Sequence, residues 1–279
     1  MAQGTFPCPH TEPIVLERGS FMSNRSSNRF SGRTALVTGA GSGIGRAIAL
    51  AFAAEGANVV VAGRRRGPLD ETLALIEARG GKALAVSADV SKAADADALV
   101  RAAVERYGSL DVAVNNAGVF RGGRPLADLT EEDWSTQLDI NVTGVFLALR
   151  AEIARMRTQP SGGAIVNVAS TFGVHTSSPG AAAYAASKAA VAVLSKGAAV
   201  DHIREGVRIN VVSPGATDTP MSLRPGETET DRAERVRATL PLGRISATAE
   251  IAAAVLYLAS DDAASVVGTD LVVDSGATA

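Results

Sequence analysis

Tyr184 and Lys188 stand four residues apart in Ala182-Ala183-Tyr184-Ala185-Ala186-Ser187-Lys188. Alanine is the strongest helix former, and on a helix residues i and i+4 share one face. A free phenol, with a pKa near ~10, is a poor base at neutral pH. A nearby ammonium favours the phenolate and draws that value down, so the pair can give a proton to a carbonyl oxygen or take one from an alcohol. An ordinary amphipathic surface helix carries the same two residue types, so the pair needs company. Ser170 offers it, following the apolar run Ala164-Ile165-Val166-Asn167-Val168-Ala169, because ligand-binding groups gather at the carboxyl ends of parallel strands. Its hydroxyl can hydrogen-bond a reacting oxygen and stabilise developing charge. The plain alternative is a turn or cap serine.

A second group of residues has the chemistry of an anion cradle. Thr34–Thr38 reads as a strand and runs into Gly39-Ala40-Gly41-Ser42-Gly43-Ile44-Gly45, with a helical pattern directly after it. Glycines permit a tight turn and close backbone approach to a pyrophosphate, and the N–H groups of the following helix bind the anion. Tight turns of no function also carry glycines; the place after the first strand and before a helix separates the two readings. In dinucleotide folds an acidic residue about 20 positions further on binds the ribose 2′-hydroxyl and selects NAD. Here that strand ends Val61-Ala62-Gly63-Arg64-Arg65-Arg66. Glycine at the acidic position removes the repulsion of a 2′-phosphate, and the Arg64 guanidinium can pair with it. NADP(H) is favoured, with NAD(H) open, since arginine also stacks on adenine and three arginines also suit a solvated loop.

These groups need a scaffold, and the pattern supplies one. Strands read over Thr34–Thr38, Asn58–Gly63, Ala83–Ala88, Asp111–Asn115, Ala164–Ala169, Arg208–Ser213 and Asp270–Val273. Helical periods fall at Ile44–Glu55, Leu69–Arg79, Lys92–Tyr107, Glu131–Arg157, Ala182–Arg204 and Ala249–Ser260. Strict alternation implies parallel strands joined by helical crossovers. Continuous apolar runs such as Val59-Val60-Val61 imply burial on both faces. The expectation is a single doubly wound α/β Rossmann-type domain, residues 31–279, on a parallel seven-stranded sheet. Residues 1–30 hold Pro7, Pro9, Pro13 and the polar run Ser23–Asn28 without periodicity, and read as a disordered arm.

Composition narrows the function classes. Hydrophobic residues at 46% supply a core, and a net charge of −2 gives no reason to expect nucleic acid as partner. Cys8 is the single cysteine, and His10, His175 and His202 lack ligand-like spacing, so no metal site is expected. No run is long enough to span a bilayer and no signal peptide is visible, which makes cytoplasmic the default.

The ordered motifs resemble the classical short-chain dehydrogenase/reductase family. Thr38 to Gly45 is similar to T-G-x-x-x-G-x-G, and Asn115-Asn116-Ala117-Gly118 to N-N-A-G. Tyr184 to Lys188 is similar to Y-x-x-x-K, and Pro214-Gly215-Ala216-Thr217-Asp218-Thr219 to the P-G segment that closes over nicotinamide. The resemblance implies hydride transfer between a nicotinamide cofactor and a carbonyl or secondary alcohol. It makes Ser170, Tyr184 and Lys188 catalytic, with Lys188 also on the nicotinamide ribose, and adds Asn141 as anchor of a proton-relay water. It further implies that Gly39, Ser42, Gly43, Ile44, Gly45, Asp89, Val90, Asn116, Ala117, Gly118, Pro214, Gly215, Thr217 and Thr219 line the dinucleotide. Ser42 departs from the second basic residue of many NADP enzymes. The Ser170–Tyr184 interval of fourteen residues is longer than the family's commonest spacing. A substrate lid is expected over about 219–241, a rather apolar pocket from Val119, Phe120 and Phe172, and a homotetramer through the long helices. His175 either faces substrate or is a solvated loop residue, and Asp274 ends the last strand structurally. A cofactor-binding regulator without turnover is the rival reading, because fold never proves activity.

Overall fold

The computed structural model describes residues 28–222 and 226–279. β1 (Thr34–Thr38) leads through α1 (Gly43–Ala54) to β2 (Asn58–Gly63), then α2 (Arg66–Glu77), β3 (Lys82–Ser87), α3 (Ala93–Tyr107) and β4 (Val112–Asn115). The second half holds α4 (Glu131–Leu138), α5 (Gly144–Met156), β5 (Gly163–Val168), α6 (Ala182–His202) and β6 (Val207–Pro214). α7 (Glu229–Thr239), α8 (Thr248–Ala259) and β7 (Asp270–Val273) complete it. The strands form one sheet in the order β3-β2-β1-β4-β5-β6-β7, and every pairing is parallel. The chain winds outward from β1 to β3, then returns to β1's other side with β4. A crevice therefore opens past the carboxyl ends of β1 and β4, the switch point where such sheets bind ligands.

Side-chain alternation divides the core between the two faces. Ala35 and Val37 of β1 pack with Ile48 and Phe52 of α1 and with Ile251 and Val255 of α8. Leu36, between them, joins Leu99 and Ala103 of α3 and Val145 and Leu149 of α5 on the opposite face. Successive strand residues point to opposite sides, so one strand anchors both helix layers. Fully burying a side chain the size of Leu36 contributes roughly 1.5–3 kcal/mol. β1, buried along its whole length, thus fixes the base of the glycine turn.

Two sequence expectations change here, and one helix is added. The arm expected over 1–30 lies outside the described residues as far as 27, but Phe30 is fully buried edge-on to Phe52 at 4.8 Å, so the packed body starts before residue 31. The helix expected over Glu131–Arg157 is divided by a π-helical turn, Asp139–Thr143, between α4 and α5. Such turns release the regular i→i−4 ladder and often mark functional positions. The charged stretch 227–237 is largely the helix α7, capped by Thr228 and Asp231 in a reciprocal box. Only Arg232 and Val236 of α7 are buried, so its apolar periodicity is too thin to read. Strand ends otherwise shift by a residue or so, as β3 and β5 do. Among the described residues no helix is long and apolar enough to cross a membrane, and no cluster of three or more His, Cys, Asp or Glu could hold a metal.

Candidate active site

The glycine turn sits at the crevice, and its glycines have separate reasons. A methyl on Gly39, whose φ is +67°, would lie 2.7 Å from Asn116 Nδ2 and 3.0 Å from Ala117 Cα. A methyl on Gly45 would collide with Gly39 O and the same amide. These two glycines admit Asn116, which donates from Nδ2 to Thr38 O (2.9 Å) and Gly39 O (3.4 Å). Thr38 Oγ1 accepts from the N–H groups of Asn116 and Ala117, each at 3.1 Å. The turn after β4 is thereby tied to the turn after β1. Gly43, at φ +52°, opens the start of α1 toward Thr219, whose Cγ2 would be 3.3 Å from an added methyl. No acidic residue occupies the first turn of α1, and Ser42 makes no side-chain cap bond there. The exposed N–H groups and positive end of the helix thus suit a diphosphate. Ile44 is half-buried and packs against the core.

At the carboxyl end of β2 the three arginines differ. Arg66 is held by Asp70 Oδ1 (2.7 Å) and Ala85 O (3.0 Å), while Arg64 is exposed and no hydrogen bond or ion pair among the described residues engages it. Its charge reaches Asp89, whose carboxylate also accepts from Ser91 N and Oγ at 3.1 and 2.8 Å. Burial raises the Asp89 pKa, but the Ser91 bonds and the Arg64 and Lys92 charges together hold it below its ordinary value. Val90 wedges against Gly144, where a methyl would stand 3.0 Å from Val90 Cγ2.

Ser170, Tyr184 and Lys188 come together beyond the end of β5. Ser170 stands beside the Tyr184 hydroxyl, and its Oγ accepts from Phe172 N at 3.1 Å. Lys188 Nζ lies 5.8 Å from the centre of the Tyr184 ring and donates to Val168 O at 2.8 Å. Phe120 stands edge-on to the Tyr184 ring at 5.2 Å. Burial pushes the Tyr184 phenol up to about 12, against the smaller opposing effect of Ser170, and brings Lys188 down to about 8. The expectation that the ammonium lowers the phenol is therefore overturned in the protein alone. Packing around the half-exposed ring outweighs a lysine turned to a backbone carbonyl.

Asn141 lies fully buried in the π-turn, and its side chain is occupied. Oδ1 accepts from Val119 N (2.8 Å), and Nδ2 donates to Val119 O (2.9 Å) and Ser187 Oγ (3.0 Å). Ser187 Oγ in turn donates to Tyr184 O at 2.7 Å. Ser187 was not singled out from sequence, although it lies inside the Tyr–Lys motif. A methyl on Gly118 would lie 3.3 Å from Asn141 Oδ1 and 3.4 Å from Lys188 Nζ, so these three residues meet at one point.

On the far side, Gly215 is needed for packing: a methyl there would sit 2.6 Å from Asp274 Cβ. Asp274 accepts from Gly276 N and Thr278 N, both at 2.9 Å, and closes the last strand. Thr217 Oγ1 donates to Gly215 O at 3.0 Å, just past Pro214, the last residue of β6. The segment after β6 is tied to α7 by Arg232, buried at 7% exposure, which donates to Asp218 Oδ1 (2.7 Å) and Ser222 Oγ (2.9 Å). Leu223 and Pro225, expected in the lid, lie outside the described residues. His175 is an exposed loop residue that pairs with Asp270 Oδ2 of β7 at 2.8 Å.

Folds of this topology bind nucleotides at the switch point, and a tyrosine–lysine–serine group beside it makes the class a dinucleotide-dependent oxidoreductase. The chain belongs to the short-chain dehydrogenase/reductase family. Residues 39–278 match the family model described as enoyl-(acyl carrier protein) reductase. The chain is similar to 3β-hydroxysteroid dehydrogenase of Mediterraneibacter gnavus, 40% identical over 268 residues that cover 90% of this chain and 96% of that protein. It superposes on levodione reductase with a TM-score of 0.84 at 36% identity, covering 89% of this chain and 98% of the other. A short-chain dehydrogenase from Burkholderia cenocepacia in complex with NADP gives 0.82 at 35% identity, over 90% and 100% of the two chains. The protein is an NAD(P)-dependent oxidoreductase that interconverts carbonyl and alcohol by hydride transfer.

Proposed function

We propose that the enzyme prefers NADP(H) and acts on the carbonyl or secondary alcohol of a small, rather apolar substrate, with Tyr184 as proton donor and acceptor. The observation that carries this reading is the convergence of Ser170, Tyr184 and Lys188 beyond β5, with Lys188 Nζ 5.8 Å from the Tyr184 ring and one helical turn further on. The dinucleotide, when bound, supplies or accepts the hydride. Tyr184 as the phenol gives its proton to the substrate oxygen during reduction, and as the phenolate takes the alcohol's proton during oxidation. Ser170 Oγ hydrogen-bonds that oxygen and favours the charge that develops on it. Lys188 stabilises the phenolate left behind and holds the ribose. Asn141 keeps the Val119 backbone and Ser187 in register with them, and its main chain at the π-turn is the place for the relay water.

Asn116, Ala117 and Gly118 line the nicotinamide side, Pro214, Gly215, Thr217 and Thr219 close over it, and Ser42, Gly43 and α1 take the diphosphate. Asp89 and Val90 flank adenine, and Arg64 takes the 2′-phosphate. That one structural neighbour is complexed with NADP fits this choice. Phe120 against Tyr184 and the exposed Met221 of the lid support an apolar substrate, as does the similarity to a hydroxysteroid dehydrogenase. Phe146 of α5 and Val193 and Val200 of α6 are 48%, 68% and 72% exposed. These apolar outer faces support a homotetramer built through α5 and α6. A chain with one cysteine suits the reducing cytoplasm.

The test is turnover of a panel of apolar ketones and secondary alcohols with each nicotinamide. Oxidation or reduction that is faster with NADP(H) is expected. Tight dinucleotide binding with no turnover across the panel would favour the regulator reading instead.

A further inference from the structure

Glu152 is a fully buried carboxyl that the reaction does not use. It projects from α5 toward the sheet at 1% exposure and borders a narrow, apolar cleft with Leu36, Thr38, Val90 and Leu99. No cation faces it. On its own helix Arg150 is exposed and Arg155 holds Gln159 Oε1. On α3, Asp95 accepts from Asp89 N, Asp97 is half-exposed and Arg101 exposed. Lys188 of α6 is turned to Val168 O. From β4, β5 and α6 the facing polar groups are Asn115, Asn167 and Ser195, none of them titratable. A carboxylate in such surroundings lacks the partner that makes a buried charge tolerable.

The neighbouring amide has the complementary defect. Asn115, the last residue of β4, spends its Nδ2 hydrogens on Glu152 Oε2 and Asn167 Oδ1, both at 2.9 Å. Asn115 Oδ1 is buried and has no donor among the described residues. Buried acceptors in folded proteins nearly always have one. A carboxylic acid and a primary amide can pair in a ring, the amide N–H to one acid oxygen and the acid O–H to the amide oxygen. The first of those bonds is in place. The second needs a proton on Glu152, taken from solvent, with the acid O–H turned to Asn115, and would satisfy the orphaned Oδ1.

We propose that Glu152 is held as a neutral acid paired with Asn115, and that it is a positioning residue for the dinucleotide cradle. Asn115 is followed directly by Asn116, which holds the glycine turn at Thr38 O and Gly39 O. Through Asn167 the same network reaches Ser195 Oγ (2.7 Å) and, from it, Val191 O (2.6 Å), so it also braces α6. Loss of the proton sets two acceptors against each other at the base of the cradle. Burial, opposed by the Asn115 bond, pushes the Glu152 carboxyl up to about 7. The pair is intact below that value and lost as pH rises through it, so the cradle loosens and dinucleotide affinity falls. This affinity effect rests on the dinucleotide reading above, whereas the protonation does not.

The test compares wild type with E152Q and E152L. Glutamine can donate from its amide to Asn115 Oδ1 and accept at its oxygen, a permanent copy of the protonated form, while leucine fills the space without pairing. Infrared difference spectra of the protein alone should show a protonated buried carboxyl in wild type below neutrality, absent from E152Q and titrating near 7. Wild-type KM and Kd for NADPH should rise several-fold across neutrality with kcat nearly constant, and E152Q should keep the low-pH values throughout. E152L should bind weakly at every pH. Absence of the infrared band would overturn the proposal. So would an E152Q enzyme that binds NADPH as poorly below neutrality as E152L does, since Glu152 would then act as an anion. If no variant binds NADPH at all, the dinucleotide reading fails and the infrared band still decides the state of Glu152.

Discussion

Arg64 offers the sharpest perturbation, because its removal disturbs little else. Its guanidinium is exposed and no hydrogen bond or ion pair among the described residues engages it, so Arg64→Ala should leave folding stability within about 0.5 kcal/mol. Hydrogen bonds to charged groups are worth roughly 1.5–3 kcal/mol. Exposure favours the lower end of that range, or about tenfold in NADPH affinity. The change has a second part, because Asp89 feels the Arg64 charge and would present its carboxylate to the phosphate uncompensated. NADH binding should barely move. Gly63→Asp should go further and reverse the preference. A Cβ there meets only Leu69 Cδ2 at 3.5 Å, an ordinary contact, so the backbone position admits a side chain. It would repel a 2′-phosphate and offer a 2′-hydroxyl an acceptor. The assay is fluorescence titration of NADPH and NADH against each variant, with kcat/KM for both on one ketone. Equal loss of the two nucleotides in Arg64→Ala would refute phosphate pairing and point to stacking on adenine.

Tyr184→Phe should abolish nearly all turnover while leaving NADPH affinity unchanged; residual activity above about a tenth of wild type would remove Tyr184 from acid–base duty. Lys188, lowered by burial to about 8, is an ammonium below that value and neutral above it. Carbonyl reduction should accordingly hold steady up to about 8 and fall beyond, and a kcat profile flat through that region would count against its role. Arg232→Ala frees Asp218 and Ser222, a loss of about 1–3 kcal/mol confined to the lid. We expect a raised substrate KM and faster proteolysis between Asp218 and Arg232, with neither change appearing if this tie is idle. Val193→Asp alters a residue 68% exposed, which in a monomer is nearly neutral. Light scattering should show a tetramer in wild type and smaller species in the variant; an unchanged mass would move the interface elsewhere.

Much of this protein was legible in one dimension. β1 and β2 fall where the apolar runs put them, and alternation with helices demanded a parallel, doubly wound sheet. The placing of Gly39 to Gly45 between strand and helix, and of Tyr184 and Lys188 one turn apart, is also local. Patterns of this kind are legible because periodicity and turn chemistry report a residue's near neighbours along the chain.

Tertiary structure decided what depends on neighbours far along it. The glycines at 39 and 45 make room for Asn116, a partner more than seventy residues away, as much as for any phosphate. His175 was ambiguous until β7 brought Asp270 to it, and α7 was hidden because two buried positions make no visible stripe. The continuous helical pattern of 131–157 hid the π-turn that seats Asn141 beside Val119 and Ser187. Ionisation is the extreme case. Two adjacent charges on a helix face suggest a lowered phenol, yet the surroundings push Tyr184 up to about 12 and Glu152 up to about 7. Desolvation depends on everything within reach of a group, and the atoms that exclude water from Tyr184 and Glu152 come from separate strands and helices that only the folded chain assembles.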